Sequence, residues 1–249
     1  MSEFLLEICA DCFESARRAA ENGADRIELC ANQLLGGTTP SPTLIRQAVE
    51  RLNIRVNVLI RPRFGVFCFT AEEKEEILDQ ITDCSVAGAA GVVIGALTPD
   101  GDLDMDFLSQ CMVYAEDMTV TLHRCFDVCR DPFEALEQAV ELGIHTILTS
   151  GQQSAAAKGI PLLKELHAAA AGRIHLMAGS GVSADIIPQI HAETGIHHFH
   201  TSGKRTEPGP MRFRREGVPM GLPMASEFDR LYSNPEVIRK AADVVHNLK

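Results

Sequence analysis

A glycine followed within a few residues by a β-rich run recurs along this chain. The pattern occurs in ENGADRIELC, VAGAAGVVIGAL, ELGIHTILTSG, AAAGRIHLMAGSG and ETGIHHFHTSG, where the glycines are Gly23, Gly88, Gly143, Gly172 and Gly195. Glycine at this point is typical of the left-handed residue that ends a helix just before a buried strand. Each copy therefore predicts a junction between a helix and a strand.

The predicted strands are short and rich in Val, Ile and Leu, and segments of helical period separate them. They cover residues 4–9, 25–30, 55–61, 91–96, 119–124, 145–150, 174–179 and 198–202. Strands of this kind between helices predict parallel pairing, and eight is the number that closes into a barrel. The alternative, an open doubly wound sheet, lacks its early glycine-rich fingerprint.

The sequence thus predicts the α/β class and a single (β/α)8 TIM barrel, whose usual length of roughly 250 residues matches this chain of 249. No linker divides the chain, so we expect one domain over residues 1–249. A long loop is expected at about 203–231, before a final helix at about 235–248.

Charge and apolar patterning bear on partners and location. The formal net charge of −11 argues against nucleic acid or an anionic membrane as a partner. No stretch reaches the ~20 apolar residues that span a bilayer, and the first residues do not resemble a secretory leader. We therefore expect a cytoplasmic protein whose eight cysteines are reduced, several of them as small buried hydrophobes.

Alternation along the strands predicts which polar side chains face the barrel interior, because residues two apart share a face. The inward set comprises Glu7, Cys9, Arg26, Glu28, Cys30, Asn57, Arg61, Thr121, His123 and His200, with Asp127 just beyond a strand end. Barrel interiors usually hold branched aliphatic residues, since a buried unpaired charge is costly. Arg26, Glu7 and Glu28 are therefore interpreted either as a structural ion-pair network or, for the two acids, as part of a site.

Arg61, His123 and Asp127 lie at strand ends, where TIM barrels place their chemistry. This placement suggests an enzyme that acts on a small phosphorylated or carboxylated metabolite. In that hypothesis Arg61 binds the anion, His123 shuttles a proton near neutral pH and Asp127 orients it. Glu7 or Glu28 would be a second acid or base.

Glycine-rich turns with hydroxyl groups end the last three strands. They contain Ser150 and Gly151, then Gly179, Ser180 and Gly181, and finally Ser202 and Gly203. Glycine lets backbone N–H groups approach an anion, and loops after strands 7 and 8 often hold phosphate in such barrels. An anion site is predicted here, with plain tight turns as the alternative.

Cys9 and Cys30 end adjacent strands on the inward face, with backbones about 4.8 Å apart if the strands pair in register. Two thiolates so placed are suited to one soft ion such as Cu(I), and Met211, Met220 and Met224 offer thioethers nearby in the chain. The alternative is that these cysteines are inert and the methionines pack.

The motifs LLEIC, NGADRIELC, GGTTPS, IRPR, HRCFD, ILTSG, MAGSG and PMRFR, in this order, resemble the CutC family of copper homeostasis proteins over almost the whole chain. The resemblance implies a cytosolic TIM barrel, a homodimer and Cu(I) held by Cys9 and Cys30. Phe64, Gly65 and Val66 depart from it, because the family's usual acid after IRPR is missing. Copper homeostasis is thus the function that the resemblance implies, and the metabolite enzyme is the alternative.

Overall fold

Eight parallel strands close into a barrel in the computed structural model, which describes residues 4–218, 220–222 and 225–248. They are β1 (Leu5–Ala10), β2 (Arg26–Leu29), β3 (Arg55–Leu59), β4 (Gly91–Ile94), β5 (Thr119–Leu122), β6 (Thr146–Thr149), β7 (His175–Ala178) and β8 (His198–Thr201). Each pairs with the next, and β8 pairs with β1. The predicted TIM barrel is confirmed, and the strands agree with the predicted ranges to within two residues at each end.

Helices follow the strands, and several of them begin with capping residues or proline. They are α1 (Phe13–Glu21), α2 (Pro42–Arg51), α3 (Ala71–Val86), α4 (Met105–Ala115), α5 (Pro132–Glu141), α6 (Ala156–Ala170), α7 (Ile187–Thr194) and α8 (Pro235–His246). Thr70 and Glu73 cap α3 reciprocally, and proline opens α2, α5 and α8. None of the helices in the described part of the chain has both the length and the apolar character needed to cross a membrane.

The glycines at the predicted junctions all adopt positive φ. The angles are 95° at Gly23, 78° at Gly88, 75° at Gly143, 75° at Gly172 and 78° at Gly195. A side chain is strained in this region and glycine is not, which explains why glycine marks each return from helix to strand.

Strand register places alternate side chains in two separate layers. Ile8, Ile27 and Leu29 belong to the large apolar cluster that includes helix residues. Cys9 and Cys30 pack instead with Leu59 and Val93 in a small separate cluster. The period of two therefore separates the helix-facing layer from the barrel interior, as the sequence predicts.

The segment 203–231, predicted as a loop, contains two further strands. β9 (Lys204–Pro208) and β10 (Asp229–Ser233) form an antiparallel pair. Arg18 on α1 contacts Glu207 at 2.7 Å, and Ser15 Oγ accepts a hydrogen bond from the backbone N–H of Ser233 at 3.1 Å. This part of the expected loop is ordered because helix α1 supplies partners far away in sequence.

Histidines collect at the end of the barrel where the strands begin. The rings of His175 and His198, which open β7 and β8, are stacked with centroids 4.5 Å apart. Burial, together with His175 and Arg26, lowers the pKa of His198 to about 3, and burial also lowers the pKa of His175. Both rings are therefore neutral in the folded protein at neutral pH.

We expect acid to destabilise the fold through His198. The unfolded chain takes up this proton near pH 6.5 and the folded chain only near pH 3, so between these values the unfolded state binds more protons and stability falls as pH falls. The expected loss at His198 between pH 7 and pH 5 is roughly 1–2 kcal/mol. Urea denaturation of the parent and of His198→Phe at both pH values measures it. Equal losses in the two proteins would contradict this account.

Candidate functional site

A cavity of about 720 Å³ opens at the end of the barrel where the strands finish. Of the residues predicted for a site, those that line it are Cys9, Glu28, Arg61, His123, Ser180, Gly181, Ser202 and Gly203. His200, Phe67 and Lys204 also line it. Six predicted residues are not among the lining residues, namely Glu7, Cys30, Asp127, Ser150, Gly151 and Gly179.

A row of charged side chains runs from the floor of this cavity into the barrel interior. Arg26 Nε donates to Glu7 Oε2 at 2.5 Å, and Glu7 Oε1 contacts His200 Nδ1 at 2.8 Å. His200 Nε2 lies 3.6 Å from Glu28 Oε2. The row joins β2, β1 and β8, and it meets the cavity at Glu28 and His200.

Burial and neighbouring charges set the protonation of this row. Burial alone would raise the pKa of Glu7, but Arg26 and His200 outweigh it and lower that pKa to about 2. Burial raises the pKa of Glu28. Burial opposes the charge on His200, yet Glu28, Cys9 and Glu7 together raise its pKa well above the usual range. Glu7 is therefore a fixed anion, whereas Glu28 takes up a proton more readily than an ordinary carboxyl group and His200 holds its proton more tightly than an ordinary imidazole.

The two predicted thiols are in contact. Cys9 Sγ and Cys30 Sγ lie 3.6 Å apart, and all eight cysteines of the chain are free. Contact with the Cys30 thiol, burial and the nearby Glu28 raise the pKa of Cys9 well above its usual value. Cys9 faces the cavity and Cys30 lies behind it, fully buried. A metal ion can therefore bind Cys9 only by displacing its thiol proton.

His123 is a neutral donor and does not have the predicted role of proton shuttle near neutral pH. Burial and the charge of Arg61 lower its pKa to about 3. Its Nδ1 accepts a hydrogen bond from the backbone N–H of Cys125 at 3.1 Å, so the remaining proton lies on Nε2. Nε2 is buried and has no hydrogen-bond partner among the described residues. The site therefore contains an unused N–H group.

Arg61 supports two loops with most of its guanidinium group. It donates to the carbonyls of Gly36 at 3.3 Å, Gly37 at 3.2 Å and Gly65 at 3.0 Å. Its Nε finds no partner within the described part of the chain. The ring of Phe67 lies 4.8 Å from the guanidinium carbon, and its centroid lies 4.8 Å from that of His123. Phe67 therefore packs against both His123 and Arg61, each of which has an N–H group unpaired among the described residues.

Asp127 does not orient His123. Its carboxylate accepts hydrogen bonds from Arg124 Nε, Thr149 Oγ1, the backbone N–H and hydroxyl of Ser150, and the backbone N–H of Gln152, at 2.6–3.1 Å. These donors occupy both oxygens, so the group joins the turn after β5 to the turn after β6. The prediction was wrong because the partners come from a loop whose path the strand pattern does not specify.

The three glycine-rich turns differ in what they offer a ligand. After β6, the N–H of Ser150 bonds Asp127 and that of Gly151 bonds Thr149 Oγ1. Gly179 donates its N–H to the carbonyl of Thr149. These donors are already used, so the predicted anion site cannot include them. Ser180, Gly181, Ser202 and Gly203 do line the cavity, and their predicted contact with an anion stays a prediction.

The tail methionines contribute no visible ligand. Met211 and Met220 have 58% and 80% of their surface exposed. Met224 lies outside the described residues. Among the described residues, Met211 and Met220 are therefore exposed side chains that do not belong to the small cluster around the thiol pair.

His200 is the residue whose importance the sequence understates. Its parity predicts an inward side chain, but its neighbours Glu7, Glu28 and Cys9 belong to strands that begin the chain. Only closure of β8 onto β1 brings them together. The sequence does contain a signal for this contact. His198 and His200 alternate along the last strand and so share its inward face, and in a closed eight-stranded barrel the last strand pairs with the first.

Comparisons with known proteins agree on one family. The model of the CutC family matches residues 4–205. A family protein CutC from Parabacteroides distasonis is 46% identical over 237 residues, which cover 94% of this chain and 98% of the relative.

A solved structure from the same family also matches. A crystal structure of CutC from Streptococcus agalactiae, whose name assigns it provisionally to copper homeostasis, superposes with a TM-score of 0.77 at 30% identity. The match covers 80% of this chain and 98% of that one. Phosphoribosylanthranilate isomerase from Thermotoga maritima matches with a TM-score of 0.59 at 16% identity, over 98% of this chain and 100% of its own, and shows the fold alone.

Proposed function

The chain belongs to the CutC family, and on that premise we propose that it serves copper homeostasis by binding Cu(I) between Cys9 and Cys30 at the barrel mouth. The observation that carries the proposal is the separation of 3.6 Å between the two sulfur atoms. Two thiolates bonded at about 2.3 Å to one ion lie roughly 3.8 Å apart at a tetrahedral angle and roughly 4.6 Å apart in the linear arrangement that two-coordinate Cu(I) prefers. The pair therefore needs little movement to bind an ion.

Chemistry and access both support a soft ion. Thiolate ligands favour soft metal ions such as Cu(I). Cys9 lines the cavity and gives the ion a route from solvent, whereas Cys30 closes the far side. Copper must displace the thiol protons, so binding tightens as pH rises.

Competition titration of the reduced protein with Cu(I) and bicinchoninic acid tests the proposal. We expect one Cu(I) per chain, and Cys9→Ser and Cys30→Ser should each lower the affinity at least about 100-fold. Cys84→Ala is the matched control, because Cys84 is a buried thiol in the helix-facing layer. Parental affinity in both serine variants would overturn the proposal.

A second candidate is an enzyme that acts on a small carboxylated or phosphorylated metabolite. The cavity has the size of a small-molecule site. In this candidate Glu28 and His200 transfer the proton at its floor. His123 Nε2 and Arg61 Nε, both unpaired, donate to the anion.

A screen of small anionic metabolites tests this candidate. For an accepted substrate we expect Glu28→Gln to lower kcat at least about 100-fold, because proton transfer is lost. His123→Ala should mainly raise KM, because it removes a binding donor. Unchanged turnover in Glu28→Gln would exclude Glu28 as the acid or base.

The cytoplasmic location and the homodimer belong to the same proposal. Eight free cysteines are consistent with a reducing compartment.

Between β9 and β10 the chain exposes Met211, Phe213 and Met220, an apolar surface suited to a second copy. Light scattering of the parent and of Phe213→Ser measures the mass. A monomeric parent would contradict the dimer.

A further inference from the structure

We propose that the cavity floor also holds a divalent transition-metal ion of the zinc class, bound by Cys9 Sγ, a carboxylate oxygen of Glu28 and Nε2 of His200. The three ligand atoms lie within 4.8 Å of one another, and all three side chains line the cavity. This site goes beyond the copper proposal and does not rest on it, because Cys30 is not among its ligands.

The distances suit one ion. Zinc binds sulfur at about 2.3 Å and nitrogen or oxygen at about 2.0–2.2 Å, so its ligands lie no more than roughly 4.6 Å apart. His200 Nε2 and Glu28 Oε2 are 3.6 Å apart. The donors stand on neighbouring strands, where Cys9 is in register with Glu28 and β8 pairs with β1. Small rotations of three side chains complete the shell.

The histidine is already oriented as a metal ligand. Its Nδ1 contacts Glu7 Oε1 at 2.8 Å, and Glu7 is held in turn by Arg26. Metal-bound imidazoles commonly donate their second N–H to a carboxylate, which fixes the ring and makes the ligating nitrogen more basic. Glu7 is therefore a positioning residue, and this contact turns Nε2 toward Glu28.

Charge balance favours a divalent ion over Cu(I) at these three ligands. The buried Arg26 and Glu7 neutralise each other. A Cys9 thiolate and a Glu28 carboxylate carry two negative charges, which a divalent ion neutralises and Cu(I) does not. Zinc also accepts this mixture of thiolate, imidazole and carboxylate ligands.

The cavity leaves one position of the ion open. Three protein ligands and a fourth position for water or substrate are typical of catalytic rather than structural zinc sites. His123 and Arg61, whose Nε2–H and Nε–H groups have no partner among the described residues, line the same cavity. A small anion bound at the open position would therefore share the cavity with both side chains.

Titration of reduced, metal-free protein with Zn²⁺ against a chromophoric chelator tests the site. We expect one Zn²⁺ per chain. His200→Ala and Glu28→Gln should each lower the affinity at least about 100-fold, and Glu7→Gln about 10–100-fold. Cys30→Ser should stay within about threefold of the parent. Cys84→Ala is again the matched control.

Co²⁺ provides a readout beyond affinity. Its thiolate charge-transfer absorption should appear in the parent and in Cys30→Ser and be absent in Cys9→Ser. Zinc affinity equal to that of the parent in Glu28→Gln and His200→Ala would overturn the proposed site. If His200→Ala does not fold, the zinc affinity of Glu28→Gln is the test. A loss in Cys30→Ser as large as in Cys9→Ser would also overturn it. Because Cys30→Ser is expected to lose Cu(I) and keep Zn²⁺, the two metal proposals fail separately.

Discussion

Arg26→Met is expected to lower the free energy of unfolding by about 3–5 kcal/mol at neutral pH. Arg26 is the cation that compensates Glu7, whose side chain is fully buried, and its pKa of about 2 keeps that carboxyl ionised. The variant leaves His200 as the partner of an otherwise uncompensated buried anion. Chemical denaturation followed by circular dichroism measures the loss.

The double variant Glu7→Gln/Arg26→Met is the control for this prediction. It removes both charges, so we expect it to be more stable than Arg26→Met alone. The destabilisation of Arg26→Met should also shrink toward pH 4, because a carboxyl without Arg26 takes up its proton more readily. A single variant no less stable than the double one would show that Arg26 does not compensate a buried charge.

Asp127→Ala is expected to lower the free energy of unfolding by about 3 kcal/mol or more. The substitution removes five hydrogen bonds to a carboxylate that is 5% exposed, and it leaves the N–H groups of Ser150 and Gln152 without their acceptor. Asp127→Asn should lose nearly as much, because its amide group turns a donor toward other donors. Denaturation of the purified variants measures both.

Asp106→Ala is the matched control, since this exposed carboxylate lies in the first turn of α4. We expect its effect to stay within about 0.5 kcal/mol. Asp127 does not line the cavity, so folded Asp127→Ala should bind Cu(I) as the parent does. Parental stability in Asp127→Ala would contradict the structural role.

Local rules predict the fold and the inward-facing set. Glycine at the end of a helix indicates a left-handed backbone conformation. The alternation of apolar and polar residues along a strand indicates which of its faces packs against the helices. Both depend on neighbours in the chain, so Gly23, Gly195, Cys9 and Glu28 could be placed from the sequence.

Loop paths and charge states could not be placed in this way. The partners of Asp127 come from the turn after β6, and the charge of His123 depends on its burial beside Arg61. His200 joins Glu7 only when the last strand meets the first. These properties depend on contacts between distant parts of the chain, which the sequence pattern does not encode locally.

X-ray absorption at the copper edge, recorded on reduced protein loaded with one equivalent of Cu(I), tests the central claim most directly. The thiol pair predicts two sulfur neighbours of the copper ion in the parent and the loss of one in Cys30→Ser. A copper ion surrounded only by nitrogen and oxygen, or a spectrum that Cys30→Ser leaves unchanged, would contradict it.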